Sequence, residues 1–142
     1  MKASASKFCS CIYWTSGTLA RKINKLAEDA WAPMGLAPGQ AYLLSLVMEN
    51  PGCQPLELSA ELHLAPSTIT RFIEKLEERK LVVRITEGKL TNVFPTQAAK
   101  KLKEKMGKCR GNFMHSFQSA LGKKESEVLV KHMLQAADKL DK

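Results

Sequence analysis

Two prolines eleven residues apart, Pro55 and Pro66, constrain this chain more than any other feature. Proline is welcome at the first position of a helix, where its missing N–H would have had no partner. Each of these opens a run with helical apolar spacing. Leu56, Leu58 and Leu62 follow the first, and Ile69, Phe72, Ile73 and Leu76 follow the second. Only His63–Ala65 separate the runs, so the two helices meet across a tight turn. Ala65 is a poor N-cap, so Ser67 is expected to cap the second helix instead. Two β-rich runs come next, "LVVRI" (81–85) and "LTNVFPT" (90–96), with Glu87-Gly88 between them placed for a hairpin turn. Helix, turn, helix and hairpin make a winged helix-turn-helix.

Such an assembly suits duplex DNA. A helix fits the major groove, and the side chains at its N-terminal end meet base edges and phosphates. The outward positions of the second helix are Ser67, Thr68, Thr70, Arg71 and Lys75, which are the candidate DNA-binding residues together with Lys89 at the hairpin tip. Hydroxyls serve bases or phosphates, and an arginine grips guanine or phosphate with two bonds. The same residues would also serve as the solvated face of an ordinary amphipathic helix. Charge tips the balance towards DNA. The net charge is +8, and residues 63–110 hold twelve Lys and Arg against five Glu, a surplus of seven.

Flanking this lobe are long amphipathic segments. A first helix is expected over roughly 8–30, with Phe8, Ile12, Leu19, Ile23, Leu26 and Ala30 in one stripe. "WAPMGLAPGQ" breaks it, and a helix carrying Tyr42, Leu43, Leu46 and Val47 starts near Pro38. From Thr96 a long helix is expected, with a kink near Gly107 or Gly111 and an end at Gly122; a last helix covers about 124–140. The fold class is therefore mainly α with a small β-wing (α+β): one domain over 1–142, a DNA-binding lobe at 36–96, and terminal helices at 1–32 and 97–142. A lobe of about 60 residues does not need three such helices for its own core. Their stripes, with Ile12, Leu19, Phe113 and Phe117 expected to be buried, point to burial in a homodimer.

Other classes find little support. There is no Gly-rich phosphate loop and no Ser/His/Asp or Cys/His signature, so an enzyme is not expected. Four cysteines, with Cys9 and Cys11 close together and Cys53 and Cys109 isolated, form no CxxC pair, and three scattered histidines form no ladder with them; neither a disulfide scaffold nor zinc is read, and no cofactor is expected. No membrane span or signal peptide is read, and a reducing cytoplasm is the expected home. Tyr13, Trp14, Trp31 and Tyr42 are candidates to line an effector pocket, although aromatics at these spacings more often serve a core or a dimer interface. A winged helix that binds protein rather than DNA stays open as an alternative.

The residues also resemble a known family. "GLAPGQAYLL", "LELSAELHLAPSTITRFIEKLEERKLVVR" and "FPTQAAKKL" are similar to the second helix, the helix-turn-helix and the wing exit of the MarR-type (multiple antibiotic resistance regulator) winged-helix family. The resemblance is strong over about 36–102. It implies a homodimeric regulator, usually a repressor, that binds pseudo-palindromic DNA and is released by a small ligand or by oxidation. The short wing "TEGKLTNVF" lacks the Asp-Arg pair that the family often carries there. "FCSCIY" resembles the reactive-cysteine segment of the hydroperoxide-sensing branch, which makes Cys9 a candidate redox residue and Tyr13 its following tyrosine. The positions matching that branch's thiol partners are Ile23, Pro38 and Ala41, which cannot hydrogen-bond a thiol through their side chains.

Overall fold

The computed structural model describes residues 1–141. The elements are α1 (Ile12–Trp31), α2 (Pro38–Glu49), α3 (Pro55–Leu62), α4 (Pro66–Glu78), β1 (Val82–Glu87), β2 (Leu90–Pro95), α5 (Gln97–Lys100), α6 (Lys103–Leu121) and α7 (Lys123–Leu140). They fall into two compact units: a central one, Trp31–Cys109, and a terminal one built from Met1–Ala30 and Arg110–Lys142. Among the described residues no helix is long and apolar enough to cross a membrane.

In the central unit, proline opens α2, α3 and α4. A side chain three residues into α2 and α3 reaches back to the residue before the helix: Ala37 N donates to Gln40 Oε1 and Gln54 N to Glu57 Oε1, both at 3.3 Å. Ser67 does not cap α4. Ala65 holds the N-cap with extended backbone and no side-chain bond, because Pro66 already occupies N1 and leaves Ser67 inside the helix. The turn between α3 and α4 uses His63 in the left-handed region (φ 53), with Ser59 Oγ donating to Leu64 O at 2.6 Å. The three helices pack on one another through fully buried Leu43, Leu44, Val47, Ile69, Ile73 and Leu76, with Leu58 also buried. Leu56, by contrast, is exposed.

The wing is a two-stranded antiparallel sheet in register from Val82↔Pro95 to Glu87↔Leu90. Its loop is Gly88-Lys89, one residue later than Glu87-Gly88, because Glu87 still pairs in the ladder. Gly88 takes φ 61, the sign a two-residue hairpin needs at its first loop position. Val82 and Val93 bury the base of the wing, and Cys53 bridges to Val93. At the exit, Thr96 Oγ1 donates to Lys80 O at 2.7 Å and accepts from Ala99 N at 3.2 Å.

Two helix boundaries differ from expectation. α1 starts at Ile12, not near residue 8. Ser6 Oγ accepts from Phe8 N at 3.1 Å, and Cys9 N and Cys11 N bond back to Ser6 O and Phe8 O. These local turns compete with helix, as serine side chains commonly make them do, and they place both cysteines ahead of α1. The helix expected from Thr96 instead stops after the four residues of α5, where Leu102 N bonds Ala99 O in a tightened turn. α6 then runs unbroken through Gly107 and Gly111. A helical glycine costs conformational entropy without forcing a bend, so a kink at these two positions was not required. α7 follows Gly122 (φ 92), whose carbonyl accepts both the N–H and the hydroxyl of buried Ser126.

Candidate nucleic-acid interface

α4 has two faces. Ile69, Ile73 and Leu76 are buried and Phe72 is half-buried. Opposite them Ser67, Thr70, Arg71, Glu74 and Lys75 are exposed, and Thr68 is half-buried at the margin. The spacing of Ser67, Thr70, Arg71 and Glu74 puts them along one outward stripe. The helix sits close against α2: a β-carbon on Gly39 would lie 2.6 Å from the Phe72 ring.

The expected DNA-binding residues are not chemically alike. Arg71 makes one side-chain bond, a long one from Nη2 to Thr68 Oγ1 at 3.5 Å, so its guanidinium is largely open. Thr70 Oγ1 donates to Pro66 O at 3.0 Å, which engages its only proton. Lys75 sits 3.5 Å from Glu78 in an exposed pair, a contact worth little in water. Lys89 stands exposed at the wing tip.

Other basic residues of the same stretch have structural work. Arg84 Nη2 lies 2.7 Å from Glu77 Oε1, tying β1 to α4, and Arg79 Nη1 donates to Gly35 O at 3.0 Å. Neither contact is legible from spacing alone, since each joins different elements. The exposed side of the wing shows Val83, Ile85 and Leu90 rather than a basic row. Glu74 is not among the expected DNA-binding residues; its place on the α4 stripe follows from the same helical period that sets Ser67 and Arg71.

The four candidate pocket aromatics form two pairs. Tyr13 and Trp14 meet edge to face at 5.1 Å, with Phe8 5.8 Å from Trp14, and all three are exposed. Trp31 meets Tyr42 at 5.7 Å; Trp31 is fully buried, and its Nε1 has no hydrogen-bond partner among the described residues. Cys9 is exposed and Cys11 half-buried. Burial pushes the Cys53 thiol above its ordinary pKa, aided by the charge of Glu57, which keeps it neutral and unreactive. Among the described residues no three His, Cys, Asp or Glu side chains group as a metal site.

Comparison with known proteins gives this geometry a context. Residues 43–83, from within α2 through α3 and α4 to the start of β1, match the winged helix-turn-helix DNA-binding family. An uncharacterized HTH-type transcriptional regulator of Bacillus subtilis (strain 168), YybA, is 27% identical over 89 residues, 61% of this chain; the chain thus spans 59% of that relative's length. The transcriptional repressor CouR superposes with a TM-score of 0.82 when bound to a 23-mer DNA duplex and 0.83 when bound to p-coumaroyl-CoA. In both cases it is 18% identical and covers 96% of this chain and 98% of its own. A MarR transcriptional regulator from Methanosarcina mazei Go1 superposes at 0.72, with 21% identity over 95% of this chain and 91% of that one. At such identities the likeness is one of fold. Residues 43–83 carry the helix-turn-helix of a winged motif whose wing β1 and β2 complete, and the chain has the fold of the MarR-type transcriptional regulators.

Proposed function

We propose that this protein is a sequence-specific DNA-binding regulator of transcription, a cytoplasmic homodimer that represses from a pseudo-palindromic operator and is released by a small ligand. The observation that carries the DNA reading is the outward stripe of α4. Ser67, Thr70 and Arg71 stand exposed at the front of a helix whose opposite face is locked into a fully buried core. That is what entry into the major groove requires.

The homodimer is supported by apolar side chains that a single chain leaves exposed in the terminal unit, among them Ile12, Tyr13, Trp14, Leu134 and Leu140. Ligand control is supported by CouR, a repressor of this fold seen with DNA and with p-coumaroyl-CoA. Within this chain the buried, unpaired indole N–H of Trp31 beside Tyr42 is a donor suited to an oxygen on such a ligand.

A binding titration on a genome-selected operator and on random duplex, at several salt concentrations, tests the reading. Arg71→Ala is expected to cost about 1–3 kcal/mol and to relax preference at one operator position. Lys89→Ala weakens all sequences alike and lowers the salt slope by about 1. The operator carries two half-sites about 10–10.5 base pairs apart, centre to centre. If both variants bind both DNAs as the wild type does, α4 is not the reader, and a protein-binding winged helix replaces this proposal.

The exposure of Cys9 ahead of α1 favours a second mode of release, by oxidation. An organic hydroperoxide then lowers operator affinity in the wild type and leaves Cys9→Ser unaffected; equal responses of the two proteins exclude it.

A further inference from the structure

Thr70 sits at the centre of the α4 stripe, yet it is poorly equipped for the usual work of a threonine at DNA. Phosphate oxygens only accept hydrogen bonds, so a hydroxyl that grips the backbone must bring its proton. Thr70 has already given that proton to Pro66 O at 3.0 Å. The bond also draws the oxygen in against the turn below, which leaves the γ-methyl as the outer group of an exposed side chain. One turn further along the same stripe stands Glu74, exposed and without an ion pair among the described residues. A bare carboxylate repels phosphates, so this part of the helix faces base edges rather than the backbone.

The major groove offers one apolar feature, the 5-methyl group of thymine, and small methyl-bearing side chains are its natural partners. Resting on the DNA-binding reading above, we infer that Thr70 reads a thymine through its γ-methyl, beside the base that Arg71 contacts. The hydroxyl serves to fix the rotamer that turns the methyl outward. Each half-site of the operator therefore contains a thymine whose contribution is its methyl group and not its hydrogen-bonding edge.

Replacing thymine by uracil removes that methyl and leaves base pairing intact. The selected operator is synthesised with each half-site thymine changed to uracil in turn, and binding is measured for the wild type, Thr70→Val and Thr70→Ser. At one position per half-site the wild type is expected to lose about three- to fivefold in affinity, the effect of one buried methyl-sized group. Thr70→Val keeps the methyl and the same sensitivity to uracil. Thr70→Ser keeps the hydroxyl, binds the thymine operator more weakly by a similar factor, and loses nothing further on uracil. A wild type that prefers the operator over random duplex but ignores uracil everywhere overturns this inference and leaves the DNA reading standing. A Thr70→Ser variant as uracil-sensitive as the wild type assigns the methyl contact to another residue, and also overturns it. A wild type that prefers no duplex overturns the DNA reading itself, and this inference with it.

Discussion

The central and terminal units place their apolar residues in opposite ways. Every one of the large side chains that are fully buried, from Trp31 to Val93, belongs to the central unit. The terminal unit buries Ala27, Phe117 and Ser126 and leaves Phe8, Ile12, Tyr13, Trp14, Leu134 and Leu140 in solvent. One region closes its own core; the other leaves apolar surface uncovered, which the proposed homodimer would bury. Under the proposed function, a lobe that presents α4 at a fixed angle gains from a core complete within one chain, while helices that pair with a second copy keep apolar surface available.

That contrast can be broken by substitution, and the largest effect belongs to the closed core. Leu44→Ala, in α2 and 0% exposed, is expected to cost about 2–5 kcal/mol in chemical denaturation. Leu134→Ala, 59% exposed on α7, shifts the stability of the dilute chain by about 0.5 kcal/mol or less and instead weakens self-association in sedimentation. A cheap Leu44→Ala, or a Leu134→Ala that unfolds the chain without touching association, would erase the distinction. Next in size is Gly39→Ala. Its new methyl would press on the Phe72 ring, and overpacking of this kind costs about 1–3 kcal/mol. Wild-type stability in that variant would show that α2 and α4 part easily and that the lobe is looser than its burial suggests. Smaller than either packing change in the lobe is Glu77→Gln, which removes the tie from α4 to Arg84 of the wing. A pair about one-third exposed is worth about 0.2–1 kcal/mol, and the difference from wild type shrinks as salt rises. A loss that salt does not change would mean the contact is steric rather than ionic.

The lobe was largely legible in the sequence because its signals are local. Pro38, Pro55 and Pro66 begin α2, α3 and α4 where expected, since proline fixes one dihedral and excludes the helix interior. The wing followed from β-branched runs around Gly88. What stayed hidden depends on contacts between elements or on competition within a turn. The Glu77–Arg84 and Arg79–Gly35 ties join residues that no periodicity connects. Ser6 drew the start of the chain out of the helical stripe that Phe8 and Ile12 suggested, and Ile12 is 77% exposed as a result of that stripe having no cover within one chain. For the candidate site, which side chains face outward was readable and what they bond to was not. The period of α4 placed Thr70 outward, but only the Pro66 carbonyl decides that its proton is engaged.

The two tryptophans of the chain lie one in each unit: Trp14, 49% exposed, in the terminal unit, and Trp31, 0% exposed, in the central one. Nature has thereby installed a pair of optical reporters with opposite accessibility. Trp14 emits from a wet surface and meets dissolved quenchers such as iodide; Trp31 emits from a dry interior and is sheltered from them. A partner chain closing over the terminal helices would dim the first quenching channel and blue-shift its light, while a ligand seated beside Tyr42 would change the second. Intrinsic fluorescence alone, with no label and no substitution, would therefore report the proposed assembly and the proposed ligand occupancy as two separate signals.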